Sequence, residues 1–134
     1  MTAAGSGSTS VVLDASAVLA WLRSETGADR VGTQLATSRM SAVNFSETWQ
    51  KLAQHGVDAD RATRRLRTLG VRVEPLDVTD ALTAARLWSI TRPAGLSLGD
   101  RCCLALATRL DVPALTADTA WAGLDLGIAV DVLR

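Results

Sequence analysis

Four acidic residues carry most of the chemistry this sequence can offer: Asp14, Glu47, Asp100 and Asp118, each standing where an apolar stretch passes into a helical pattern. If those turnovers converge in space, four carboxylates share one pocket. Carboxylates that close repel one another, so protons or a divalent cation must neutralise part of the charge. Metal-assisted hydrolysis is the first chemistry such a pocket suggests.

Each acid also has a plainer explanation. Asp14 ends the run VVLD and Asp118 follows ALTA, and either can cap the helix start that comes next. Asp100 follows Ser97 by three positions, the spacing of a cap with an acid in the first turn. Cys103, Leu104 and Ala107, however, lie three, four and seven residues beyond Asp100. That spacing puts its carboxylate on an inward helix face, where it needs a metal, a proton or several donors. Glu47 fits least well. Projected at about 100° per residue it lies opposite the stripe Phe45, Trp49 and Leu52, and Asn44 three residues earlier suggests a capping box. Pattern alone exposes Glu47, unless the aromatic stripe is buried against something else.

Other chemistries have less support. His55 is the only histidine, beside Gly56 at an expected helix end, so a serine-histidine triad has one imidazole to draw on and a C-cap is the simpler reading. Cys102 and Cys103 are adjacent, and helix neighbours point about 100° apart, poor geometry for a disulfide. They read as reduced thiols of an unexported, cytoplasmic protein. No Gly-rich phosphate loop precedes a helix.

The elements that must position the acids alternate. VVLD reads as a buried strand and ASAVLAWLRS as a helix, followed by a second helix over GADRVGTQLATSR and a brief strand at Met40 to Val43. Helices are expected over NFSETWQKLAQHG and DADRATRRLRTLG, then the strand VRVEPL, a helical stripe over 78–91 and the loop TRPAGL. A helix from about Leu98 to Leu110, the strand VPALTA, a short helix over DTAWAGLDLG and a last strand in IAVDVL complete the pattern. Alternation of this kind predicts an α/β fold, a small and mostly parallel sheet between helical layers. In such sheets ligands bind beyond the carboxyl ends of the strands, where Asp14 and Asp118 fall.

With 134 residues and 48% hydrophobic content the chain suits one domain, residues 11–134, behind a Gly/Ser-rich flexible tail at 1–10. Its apolar runs are too short to span a membrane. Fourteen basic and fourteen acidic residues cancel, so a nucleic-acid partner must be met by local charge. Thirteen of those cations are arginine, and Arg61, Arg64, Arg65 and Arg67 crowd into seven positions with Arg72 close behind. Arg61, Arg64 and Arg65 are candidates for phosphate contact, although such a cluster equally describes a solvated helix face.

The blocks VLDASAVLAWL, SAVNFSE, LSLGDRCCLALA and LTADTAW resemble, in order and spacing, the signature blocks of PIN-domain ribonucleases, above all the VapC-type toxins of type II toxin-antitoxin pairs. The likeness runs from about residue 11 to residue 121. It implies a three-layer α/β/α sandwich with Asp14, Glu47, Asp100 and Asp118 as the catalytic acids. Asp14, Asp100 and Asp118 would hold Mg2+ or Mn2+, Glu47 would bind a second ion or position water, and Ser16 and Thr116 would orient the site from beside it. It further implies cleavage of single-stranded or loop RNA, an antitoxin partner that reaches into the acidic pocket, and a homodimer. Two alternatives remain open at this point: a catalytically silent PIN-like binding module, and an aspartate-based phosphohydrolase, which usually wants a lysine near its pocket where this chain has only Lys51.

Overall fold

Val11, Val12 and Leu13 are β-prone, apolar and buried on both faces, and they form the central strand β1 (Val11–Leu13) of a five-stranded sheet. The computed structural model describes residues 10–133. The expected tail therefore lies outside the described residues, Ser10 excepted. The elements after β1 are α1 (Ala15–Leu22), α2 (Ala28–Gln34), β2 (Ser38–Ser41), α3 (Ala42–Gln54), α4 (Ala59–Thr68), β3 (Arg72–Glu74), α5 (Val78–Arg86), α6 (Trp88–Thr91), α7 (Leu98–Leu110), β4 (Ala114–Thr116) and β5 (Val130–Val132).

The strands lie in the order β3-β2-β1-β4-β5, and every neighbouring pair is parallel. Because side chains alternate along a strand, β1 feeds two cores. Val11 and Leu13 pack with Val18 of α1, Val31 of α2 and Leu66 of α4, while Val12 packs with Cys103, Leu104 and Ala107 of α7 and with Trp121. The sheet thus has helices on both faces, the α/β/α arrangement that alternation predicted. Among the described residues no helix is long and apolar enough to cross a membrane.

Three expectations are corrected. The second strand ends at Ser41 instead of reaching Val43, because the Ser41 hydroxyl accepts the Val43 N–H and caps α3. The expected helix over DTAWAGLDLG shrinks to a 3-10 turn, Thr119–Trp121, anchored by the fully buried Trp121. The stripe over 78–91 divides into α5 and α6, and the loop after it forms a 3-10 turn at Arg92–Ala94.

α7, which carries Asp100, is tied to α5 by a forked ion pair. Arg109 Nε and Nη2 donate to Asp80 Oδ1 and Oδ2 at 2.9 and 3.1 Å, and only 2% of the Asp80 side chain is exposed. A buried carboxylate stripped of its partner cannot readily rehydrate. Arg109→Ala is therefore expected to cost about 2 kcal/mol, read as a lower urea midpoint with an unchanged slope.

Candidate metal-binding acidic site

The chain leaves β1 for β2 and β3 on one side and returns to β4 and β5 on the other, so the carboxyl ends of β1 and β4 flank the switch point in strand order. Asp14 follows β1 directly and Thr116 is the last residue of β4. Only 3% of Asp14 is exposed. Its Oδ1 accepts the Ala17 N–H at 2.8 Å, which is the N-cap bond of α1, and the Ser16 hydroxyl at 2.8 Å. Its Oδ2 accepts Thr116 Oγ1–H at 2.6 Å and lies 2.9 Å from Ser16 Oγ. The same two hydroxyls accept backbone N–H groups of the following turn, Ser16 from Ala117 at 2.9 Å and Thr116 from Asp118 at 3.0 Å. Ser16 and Thr116 thereby lock the ends of β1 and β4 around one carboxylate.

Burial pushes the Asp14 carboxyl up to about 6, against the hydrogen bonds from Thr116, Ala17 and Ser16 that favour its charge, and the negative Asp100 adds to the rise. Asp100 stands in the first turn of α7. Its Oδ2 accepts the Ser97 N–H at 2.9 Å while Ser97 Oγ accepts the Asp100 N–H at 3.1 Å, the capping box that the spacing predicted. Beneath them the fully buried Cys103 thiol is raised well above its ordinary value, first by burial and then by the charges of Asp14, Asp100 and Glu47. Three of the four acids therefore act on the same buried thiol. The cysteines are free, buried and held as thiols.

Glu47 departs most from expectation. α3 starts three residues earlier than an Asn44 cap requires, so Asn44 sits inside the helix with Thr48 and Leu52 on its buried face. Trp49 is 42% exposed and its indole N–H donates to Asp60 Oδ1 at 2.9 Å. Of the stripe, Trp49 faces out while Leu52 is buried and Phe45 packs against the core, so the inward face is the mixed row Asn44, Thr48 and Leu52, and Glu47 turns toward α7. The buried Asn44 amide donates to Glu47 Oε1 at 2.9 Å and to the Gly99 carbonyl at 3.0 Å. The Glu47 carboxylate lies against the backbone of Gly99, where a Cβ would stand 2.5 to 2.7 Å from its Oε2, Oε1 and Cδ atoms. Asn44 and Gly99 are site residues that pattern reasoning missed. The signal for Gly99 was present, because a lone glycine inside a helical pattern costs about 1 kcal/mol and asks for a packing reason.

Asp118 is exposed, and its Oδ1 caps the turn by accepting the Ala120 N–H at 2.9 Å. Its backbone N–H, not its carboxylate, is linked to Asp14 through the Thr116 hydroxyl. Among the described residues no three acidic, histidine or cysteine side chains already form a cluster closed enough to be a metal site. The donor chemistry nevertheless suits a hard divalent cation, with carboxylate oxygens arranged round a buried Asp14. Beside Glu47, the buried Asn44 Oδ1 also has no hydrogen-bond partner.

The arginines of α4 do not join the acids. Arg61 and Arg65 rim, with Arg23, an apolar groove floored by Leu22, Leu52, Val57 and Ala62, and the Arg65 guanidinium stacks over Trp21 at 5.2 Å. Arg64 and Arg67 face a separate hollow with Arg72. The sequence cluster is split over two sides of the helix.

Residues 11–125 match the family model of the PIN domain, and the chain belongs to that family. No curated protein sequence matches it significantly. Among solved structures, a toxin-antitoxin complex from Klebsiella pneumoniae is similar with a TM-score of 0.74 at 15% identity, covering 92% of this chain and 98% of the other. VapC20 of Mycobacterium tuberculosis, described as a sarcin-ricin loop cleaving toxin, gives 0.66 at 18% identity over 86% and 96%. VapBC-1 from nontypeable Haemophilus influenzae gives 0.67 at 17% over 92% and 98%. At these identities the likeness is one of fold, and it is the fold of VapC-type PIN toxins.

Proposed function

We propose that the chain is a divalent-cation-dependent endoribonuclease, the toxin of a toxin-antitoxin pair, acting on single-stranded or loop RNA. The observation that carries this reading is the buried Asp14 carboxylate at the switch point, locked by Ser16 and Thr116, with the negative charge of Asp100 acting on it. The similar structures whose descriptions name a toxin-antitoxin complex and an RNA-cleaving toxin support it.

Asp14, Asp100 and Asp118 would hold Mg2+ or Mn2+, which supplies an activated water and neutralises charge developing on a phosphodiester. Ser16 and Thr116 fix the Asp14 oxygens, so that carboxylate is in place before any ligand arrives. The Glu47 carboxylate, held by Asn44, orients the attacking water or a second ion.

An antitoxin would restrain such an enzyme in the cytoplasm, and a second copy would pair with it. Val78, Leu82, Trp88, Ile90 and Leu98 are between 48% and 76% exposed and offer apolar surface for such contacts. The reading is tested by cleavage of total cellular RNA in Mg2+, in excess chelator, and with Asp100→Asn. Chelation and the substitution should each lower the rate more than about a hundredfold, beyond the usual loss from residues one shell further out. Unchanged cleavage by folded Asp100→Asn would sink the assignment. Absence of cleavage together with little Mn2+-induced rise in melting temperature would point to the silent module instead.

A further inference from the structure

An acidic centre repels the phosphates of the RNA it is proposed to cut, so cations must hold the strand within a nucleotide or two of it. The α4 arginines stand elsewhere, as described above. A cleft of about 620 Å³ does open onto the site, with Ser16, Ala117, Asp118 and Thr119 on one wall and Arg23, Lys51, Gln54 and His55 on the other. The second wall joins the end of α1 to the end of α3.

Lys51 is the only lysine in the chain, and it sits in the last turn of α3. Among the described residues the ion pairs are Arg30–Asp131, Arg39–Glu74 and Arg109–Asp80, so neither Arg23 nor Lys51 has a carboxylate partner. His55 Nδ1 lies 2.8 Å from the Lys51 carbonyl, which can only accept, so this ring nitrogen is used as a donor at the end of α3. Glu25 is the one other charged residue lining the cleft besides Asp118. A helix C-terminus favours a nearby cation on its own account, which explains a lysine at this end of α3. The same account covers Arg23, the C-cap of α1, but not the meeting of both helix ends, neither cation paired, at one opening that Asp118 also lines.

We propose that Arg23 and Lys51 form an RNA-backbone subsite that holds phosphates flanking the scissile bond, in place of the separate hollow of Arg64, Arg67 and Arg72. This rests on the ribonuclease reading above and names how its substrate is held.

The test uses Asp100→Asn protein in Mg2+ with a fluorescein-labelled, random-sequence single-stranded RNA twelve-mer, its affinity followed by anisotropy from low to moderate KCl. Each phosphate contact removed from a single strand should reduce the salt slope by about 0.7. Adding Arg23→Ala and Lys51→Ala is expected to weaken binding roughly tenfold and to take about 1.4 from the slope. Lys51→Arg should retain binding. Arg64→Ala, Arg67→Ala and Arg72→Ala together should change neither quantity. The Arg23→Ala/Lys51→Ala pair introduced into otherwise unaltered protein should keep the Mn2+-induced rise in melting temperature, which damage to the acidic site would remove. An unchanged slope in the cleft variant, or its loss in the Arg64/Arg67/Arg72 variant, overturns the subsite and leaves the ribonuclease reading standing. Failure of the parent to bind RNA at all overturns both.

Discussion

Asp14→Asn is expected to give a protein inactive on RNA yet more stable than its parent when metal is absent. The sign follows from burial. The folded-state pKa of Asp14, about 6, lies above its ordinary value of 3.8, so the native state binds the proton more tightly than the unfolded chain does. The stability this proton confers is complete below the ordinary value and lost as pH rises through 6. Above that, ionised Asp14 carries a penalty of about 3 kcal/mol, from two units at 1.36 kcal/mol each. Asparagine keeps the shape and removes the charge, and its amide can still meet the Ser16 and Thr116 hydroxyls. Metal-free Asp14→Asn should therefore gain about 1 to 3 kcal/mol at pH 7.5 and flatten the fall in stability between pH 4 and 7. Urea melts of both proteins in chelator across that range check it, and a variant no more stable than its parent at pH 7.5 would contradict it. A divalent ion reverses the penalty by neutralising the carboxylate, so the Mn2+-induced rise in melting temperature should fade in the parent as pH drops below about 6.

Gly99→Ala is expected to reverse the usual rule for an alanine introduced into a helix. Gly99 is the second residue of α7 and buried, and alanine there ordinarily adds about 0.5 to 1 kcal/mol of stability. Here the new Cβ meets the far end of a flexible side chain, the Glu47 carboxylate. The fold can absorb the intrusion by swinging Glu47 away, so the melting temperature should change little or rise. Catalysis cannot absorb it, since a displacement of about 1 Å in a positioned group costs on the order of a hundredfold in rate. If Gly99 acts through Glu47, adding Gly99→Ala to Glu47→Ala should cost nothing further, whereas independent effects would multiply. Full cleavage by Gly99→Ala would show that the position of Glu47 does not matter to the reaction.

Much of the architecture was legible because it depends on short-range signals. VVL and ALT are too apolar and too short for anything but buried strands between helices, and Ser97 with Asp100 wrote their capping box in plain spacing. The α3 helix was legible in extent but not in rotation. Its apolar stripe marked only part of the inward face, because a polar pair, Asn44 and Thr48, also occupies the interior, the Asn44 amide donating to Glu47 and Gly99 and the Thr48 hydroxyl to the helix itself. Amphipathic projection assumes that the inward face is apolar, and at a polar site that assumption fails. The arginines of α4 failed for a related reason. Seven consecutive positions cover nearly two turns of helix, so closeness in sequence dispersed Arg61 and Arg65 to one side and Arg64 and Arg67 to another.

Asp14 stands early among the described residues, and the hydroxyl that grips its second oxygen belongs to Thr116, 102 positions later. During synthesis an emerging chain can form β1 and α1 long before that hydroxyl leaves the ribosome. Until it does, Asp14 has only the local bonds from Ser16 and Ala17, and Asp118 is not yet exposed at all. A truncated or still tethered chain ending before β4 is thus left without a finished acidic centre. For a protein whose proposed activity would destroy RNA, the long separation between Asp14 and Thr116 acts as a timer, withholding the site until β4 has emerged.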